Sequence, residues 1–339
     1  MDLLSQGLLG SAMALSIARP DEIRKAAVIG LVAGLAADVD FFIRSTEDPL
    51  LNLEFHRHFT HSIFFIPVAA LLISFLLWPF FKTSLSWNKV LVFSLAGYSL
   101  SGFLDACTSY GTSLFWPVSD QRISFNIISI IDPLFTLLIL TGVLFAVIRK
   151  HPKFARLFVL LGAGYLTLGW FQHARVEQIS LQLAAQRSHQ PERVLVKPTL
   201  GNLFLWRSVY LTGDIFYIDA IRLNPFTGAS TLFPGQSIAR LDSRNHGLPI
   251  PAHSILQQDI DRFSNFTSDY LALHPQKSDV IIDVRYSNLP HSHLPLWGIR
   301  FDASRSGQHA AYQLFRDASK ATREEFMRML LNLENAVES

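Results

Sequence analysis

The chain has 339 residues, of which 50% are hydrophobic and 17% charged, with a net charge of +2 and one cysteine, Cys107. So apolar a composition excludes an ordinary water-soluble fold along the whole length. The small net charge argues against nucleic acid as a stable partner, and a single cysteine excludes an intrachain disulfide.

The apolar residues concentrate before about residue 172, and Lys, Arg, Asp and Glu crowd the remainder. Residues 3–18 and 26–43 read GLLGSAMALSIA and AAVIGLVAGLAADVDFFI at their cores. Their small side chains predict helices packed closely inside a bundle. The start, MDLLSQG, has no positive region before the apolar stretch, so the first helix is read as retained and not as a cleaved signal. Residues 62–81, 90–104, 127–148 and 154–171 are nearly free of charge. They lie at or near the roughly 20 residues that a helix needs to cross hydrocarbon. Six membrane helices are expected.

Arg19, Arg24 and Lys25 follow the first helix, Lys82 and Lys89 the third, and Arg149, Lys150, Lys153 and Arg156 the fifth. Short loops rich in Lys and Arg stay cytoplasmic. Residues 44–61, residues 108–126 and everything beyond 172 then face outward, which in a bacterial cell is the periplasm. Residues 173–193 read as a helical connector. Beyond it, strand formers interrupted by TGD predict a hairpin. DVIIDVRYS and LWGIRFD add two strands, and residues 254–273 and 318–336 two helices. The expected fold is an α-helical membrane bundle of about six transmembrane helices (1–172), a connector (173–193) and a small soluble α+β domain (194–339), periplasmic in location.

The polar residues of the first region fall at helix ends. Asp38 and Asp40 close the second helix, His56, His58 and His61 precede the third, Asp105 closes the fourth and Asp132 opens the fifth. By the charge-derived topology all share the outer face. A carboxylate near hydrocarbon costs several kcal/mol unless paired, hydrated or bound to a cation. An Asp at a helix C-terminus is also disfavoured by the helix dipole, so Asp38, Asp40 and Asp105 are not ordinary caps. Imidazoles and carboxylates at one depth make a nest for a divalent transition metal. His56 and His61 are expected to turn inward with Thr60 capping the third helix, and His58 to stand outside. Asp132, before Pro133, is either functional or a cap. Arg57 pairs with the aspartates, holds a substrate phosphate or anchors a headgroup. Cys107 reads as a packing residue, and His291 and His293, between prolines in a loop, as solvated.

HRHFTHS at 56–62, DVD at 38–40 and GYSLSGFLDACTSYGTSLFWP at 97–117 resemble the YdjM-type membrane-bound metal-dependent hydrolases. The resemblance covers about residues 1–150, and the length fits the long form with a soluble C-terminal domain. It implies a bacterial inner-membrane protein, akin to the zinc-dependent phospholipase C group, with metal ligands at Asp38, Asp40, His56, His61 and Asp105. Two positions depart from the family pattern. Its N-terminal histidine falls on Gln6, and the histidine four residues before the later aspartate falls on Ser101.

The expected function is a metal-dependent hydrolase using one or more divalent ions, Zn²⁺ by its donor set. Asp38, Arg57 and Asp105 are its candidate catalytic residues. Membrane lipids are its surroundings, and a lipid or lipid-linked phosphoester its substrate by location and kinship. Oligomeric state is left open. The alternative is a non-catalytic membrane scaffold or sensor with a degenerate metal site, which Gln6 and Ser101 favour.

Overall fold

The computed structural model describes residues 1–245 and 247–333. The chain divides into two compact units. The first comprises Met1–Ile43, Phe55–Phe171 and Leu200–Asn202, and the second Arg44–Glu54, Gln172–Thr199 and the chain from Leu203 onward.

The first unit is helical: α1 (Leu3–Ile17), α2 (Ile23–Ala36), a 3₁₀ segment Ala37–Phe42, the short α3 (Leu51–Phe55, mostly in the second unit), a 3₁₀ turn Phe59–His61, α4 (Ile66–Phe81), α5 (Trp87–Tyr98), α6 (Ser101–Ala106), α7 (Pro133–Arg149) and the start of α8 (Pro152–Gln186). The small residues act as expected. Gly10 on α1, Gly30 on α2 and Gly97 on α5 meet so closely that a Cβ on any of them would collide with the backbone of another. Outward faces are apolar, as at Phe75 and Phe80 on α4, Leu137 and Ile148 on α7 and Leu160 and Phe171 on α8, all exposed. Such a surface suits lipid better than water.

Six spans are not observed. Among the described residues only α8 is long and apolar enough to cross a membrane; a second span exists only if Leu51–His61 and Ile66–Phe81, bent by 86°, are one broken span. Hydropathy averages over breaks that the backbone makes. The 26–43 run leaves α geometry at Ala37, and the 90–104 run is split between α5 and α6. The 127–148 run becomes helical only at Pro133, behind Asp132, which caps α7 by accepting the Phe135 amide. Conversely, α8 runs for 35 residues through most of the expected connector, because that stretch is rich in helix formers and meets no proline until Pro191.

The second unit carries two antiparallel meanders: β1 (Arg193–Pro198), β2 (Leu205–Thr212), β3 (Ile215–Leu223) and β4 (Ser230–Ala239), then β5 (Leu271–His274), β6 (Lys277–Asp283), β7 (Trp297–Arg300) and β8 (Ala311–Leu314). The TGD hairpin forms between β2 and β3, with Thr212 facing Ile215 and Gly213 at φ +57. β4, β5 and β8 were not expected. The helix predicted over 254–273 is α9 (Ile255–Thr267); Ser268 and Asp269 then adopt positive φ and release the chain into β5. The helix predicted over 318–336 is α10 (Lys320–Leu331), and positions 334–336 of that prediction lie outside the described residues. Val209, Phe216, Ile218, Val280 and Ile282 form the core shared by the two sheets.

Candidate metal centre

The site lies where α2 gives way to its 3₁₀ segment, which buries both Asp38 and Asp40. The 3₁₀ turn Phe59–His61 inserts His61, 1% exposed, between them. His61 Nδ1 lies 3.2 Å from Asp40 Oδ2, and its Nε2 lies 2.8 Å from Asp105 Oδ2 and 3.6 Å from Asp38 Oδ1. Asp105 arrives on α6, which sits hard against the chain here. A Cβ at Gly102 would collide with the His61 carbonyl.

Asp40 is the organiser. Its Oδ2 accepts from Thr60 Oγ1 at 2.5 Å and from the Arg57 amide at 2.8 Å, while Oδ1 lies 3.0 Å from His56 Nδ1. Thr60 Oγ1 is also 3.0 Å from His61 Nδ1. Thr60 therefore orients the site and does not cap the third helix; the residue before α4 is Phe65, which makes no side-chain cap. A histidine whose Nδ1 side faces a carboxylate and whose Nε2 faces a ligand position is the usual arrangement around protein metals.

Arg57 is 4% exposed and adopts φ +61. Its guanidinium lies 3.3 Å from Asp105 Oδ1, donates to Thr108 Oγ1 at 3.1 Å and to the Met1 carbonyl at 3.3 Å, and covers the Tyr110 ring at 5.0 Å. Its carbonyl accepts from Thr112 Oγ1 at 2.9 Å and the Ser113 amide at 3.1 Å. The Met1 amino group also contacts Asp105 Oδ1. Of the three readings of Arg57, pairing with an aspartate is what this geometry displays.

Gln6 Oε1, Asp38 Oδ2, His61 Nε2 and Asp105 Oδ2 are buried here without a hydrogen-bond partner among the described residues. The last two are 2.8 Å apart without the geometry of a hydrogen bond. Unpaired buried polar groups cost about 1–3 kcal/mol each, more when charged. Ligands each about 2.0–2.2 Å from a tetrahedral ion stand roughly 3.3 Å from one another. The His61, Asp38 and Asp105 separations bracket that spacing, so the residues present fit a divalent cation. Of the three groups among the described residues whose ligand atoms lie within 4.8 Å of one another, two are here, Asp38 with His61 and Asp105, and Asp38 with Asp40 and His56; the third, Asp48 with Asp259 and His309, belongs to the second unit. Asp38 belongs to both groups here, the position of a bridging carboxylate.

The other expectations fall to either side. Gln6, on α1, donates to the Ser101 carbonyl at 3.2 Å, so both departure positions lie together beside the cluster. His58 packs against the Phe55, Phe59 and Trp116 rings, outside the carboxylates. Asp132 is a cap, with Tyr165 donating to its Oδ2 at 2.9 Å. Cys107 is buried in the core with Leu104 and Ile128. His291 pairs with Glu325 at 3.3 Å. Sequence reasoning gave no role to Thr108, Thr112 or Tyr110, although all three lie in the quoted TSYGT; Tyr98, whose hydroxyl reaches the Thr60 carbonyl, carried no signal.

Among curated proteins, the chain is similar to the uncharacterized protein YfhP of Bacillus subtilis (strain 168), 24% identical over 196 residues. That alignment covers 57% of this chain and 58% of YfhP, so less than two thirds of the relative is spanned. No solved structure matches. The family model described as YdjM inner membrane protein matches residues 1–176, the region that holds every residue of the cluster, and the chain belongs to that family.

Proposed function

We propose that the protein is an inner-membrane hydrolase that uses one or two divalent ions, Zn²⁺ from its nitrogen and oxygen donors, to cleave a lipid or lipid-linked phosphoester. The observation that carries this reading is the group of Asp38, His61 and Asp105, whose ligand atoms lie within 4.8 Å of one another and in which His61 Nε2 and Asp105 Oδ2 face each other, buried and without a hydrogen bond among the described residues. His61 Nε2, Asp38 and Asp105 would hold one ion, and Asp38, Asp40 and His56 a second. When bound, such an ion lowers the pKa of water toward about 7 and polarises a phosphoryl oxygen. Asp40 keeps His56, His61 and the Arg57 backbone in place. With a single ion held, Asp38 keeps one carboxylate oxygen free and takes a proton from the attacking water. Arg57, already directed at Asp105, offsets negative charge on the substrate. The Lys and Arg distribution supports placing the site and the C-terminal unit on the periplasmic side.

A second reading, a scaffold or sensor with a reduced site, is favoured by Gln6 and Ser101 standing where the family carries histidines. The two separate on one assay. Purified protein in lipid nanodiscs should release phosphate or a phosphorylated headgroup from a lipid phosphoester, lose this with chelator and regain it with Zn²⁺, while Asp38→Asn shows none. Metal binding without turnover on any such substrate would favour the scaffold.

A further inference from the structure

We propose that Arg122 is the receptor for the phosphate group of the ligand at the metal centre, oriented by the Tyr110 ring and the backbone of His56; this rests on the metal-centre reading above. All the residues concerned belong to the first unit. The segment 108–113 is fastened on two sides. On one, Thr112 Oγ1 and the Ser113 amide bind the Arg57 carbonyl. On the other, Thr112 and Ile123 exchange backbone hydrogen bonds at 3.0 and 2.9 Å, and Ser124 Oγ donates to the Thr108 carbonyl at 2.9 Å. Gly111, at φ +73, allows this approach, since a Cβ there would stand 2.9 Å from the Ile123 carbonyl oxygen. Arg122 is thereby delivered to the Tyr110 ring and to the loop that bears His56.

Two guanidinium groups lie over that ring, Arg57 at 5.0 Å and Arg122 at 5.3 Å from its centre, and the His56 imidazole meets it at 5.6 Å and 63°. The two arginines differ in what they face. Arg57 is buried and directed at Asp105, Thr108 and the Met1 carbonyl. Arg122 is half-buried, and its Nη2 donates to the His56 carbonyl. Neither a carbonyl nor an aromatic ring carries net charge, so these two contacts orient the guanidinium without neutralising it. A cation beside a metal ligand and within reach of solvent suits an anion, and the planar fork of an arginine matches the oxygens of a phosphate.

His56 also indicates what carries the phosphate. Its side chain is 19% exposed, so the site is open on this side. Its ring lies 6.0 Å from that of Phe41, and Phe41 and Phe42 are both exposed, Phe42 at 79%. Apolar surface thus adjoins one contact of His56 and cationic surface another. Such an arrangement fits a phosphate borne on an apolar chain.

The test is calorimetric titration of inorganic phosphate into Zn²⁺-loaded full-length protein in dodecyl maltoside, a detergent without phosphate. Arg122→Gln should bind phosphate about tenfold or more weakly, through loss of charge-assisted hydrogen bonds, while holding as much Zn²⁺ as wild type. Arg122→Lys, which keeps the charge without the fork, should fall between the two. Equal phosphate affinity in wild type and Arg122→Gln overturns the proposal, as does a wild type that binds no phosphate. A joint loss of phosphate and Zn²⁺ also overturns it, and makes Arg122 a strut for His56. If the wild type takes up no Zn²⁺, the metal reading has failed, and the same titration of metal-free protein decides the role of Arg122. If Arg122→Gln does not fold, Arg122→Lys makes the comparison, and an affinity equal to wild type overturns the proposal. Dihexanoyl phosphatidate distinguishes the source. Binding tighter than that of inorganic phosphate, and brought down to it by Phe42→Ser, assigns a lipid; equal binding of the two assigns free phosphate to the same receptor.

Discussion

Two charge clusters, a buried one in the first unit and a half-exposed one in the second, dispose of their charges differently. Around Arg262 every guanidinium donor meets a carboxylate oxygen, and Asp259 is closed off by a backbone amide. Around His61, three carboxylates face one imidazole, and two of the facing atoms, His61 Nε2 and Asp105 Oδ2, have no hydrogen bond among the described residues. A network that satisfies itself is complete as a structural element. One that leaves buried polar atoms facing one another without hydrogen bonds has room for a further cation. Residue types alone do not separate the two, since both contain His and Asp; the difference lies in what remains unpaired.

The contrast is sharpened most by tightening the unsatisfied cluster. Gly102→Ala would drive a methyl into the His61 carbonyl, where backbone must yield. Thermal unfolding in detergent should show a loss of about 1–3 kcal/mol, with metal affinity falling alongside. Full stability with unchanged metal affinity would mean that α6 does not set the His61 position.

The second unit offers a milder test. Lys197, buried on β1 opposite Arg207, holds its amine over the Tyr286 ring at 3.3 Å. Burial pulls its pKa well below the ordinary 10.5; the Arg207 and Arg285 charges add to this, and Asp283 opposes it. Folding therefore releases a proton below pH 10.5, so this group's contribution to stability rises with pH between its depressed value and 10.5. Lys197→Met should stabilise the unit by about 1 kcal/mol at neutral pH, and the difference from wild type should shrink as pH approaches 10. A destabilised variant would show that the amine makes a contact worth more than its burial costs.

Much of the site was legible in the sequence, because Asp38, Asp40 and Asp105 stand where apolar runs end and carboxylates are costly. His56 and His61 were legible from their place in HRHFTHS. Thr60, Tyr98 and Thr108 were not. Hydroxyl side chains are common in such helices, and only proximity to Asp40, to the Thr60 carbonyl or to Arg57 gives them work. The number of spans was misread because hydropathy registers composition and not the breaks after Ala36 and Tyr98. β5 and β8 span only four residues each, too few for alternation to register. The contact of Arg262 with Glu54 bridges 208 positions and leaves no local pattern.

The most direct measurement is the metal content of full-length protein purified without chelator, determined by mass spectrometry beside His61→Ala of equal helical content. The account predicts about one equivalent or more of a divalent metal in the wild type and almost none in the variant. A folded wild type that carries no metal and takes up none of the Zn²⁺ offered would contradict it.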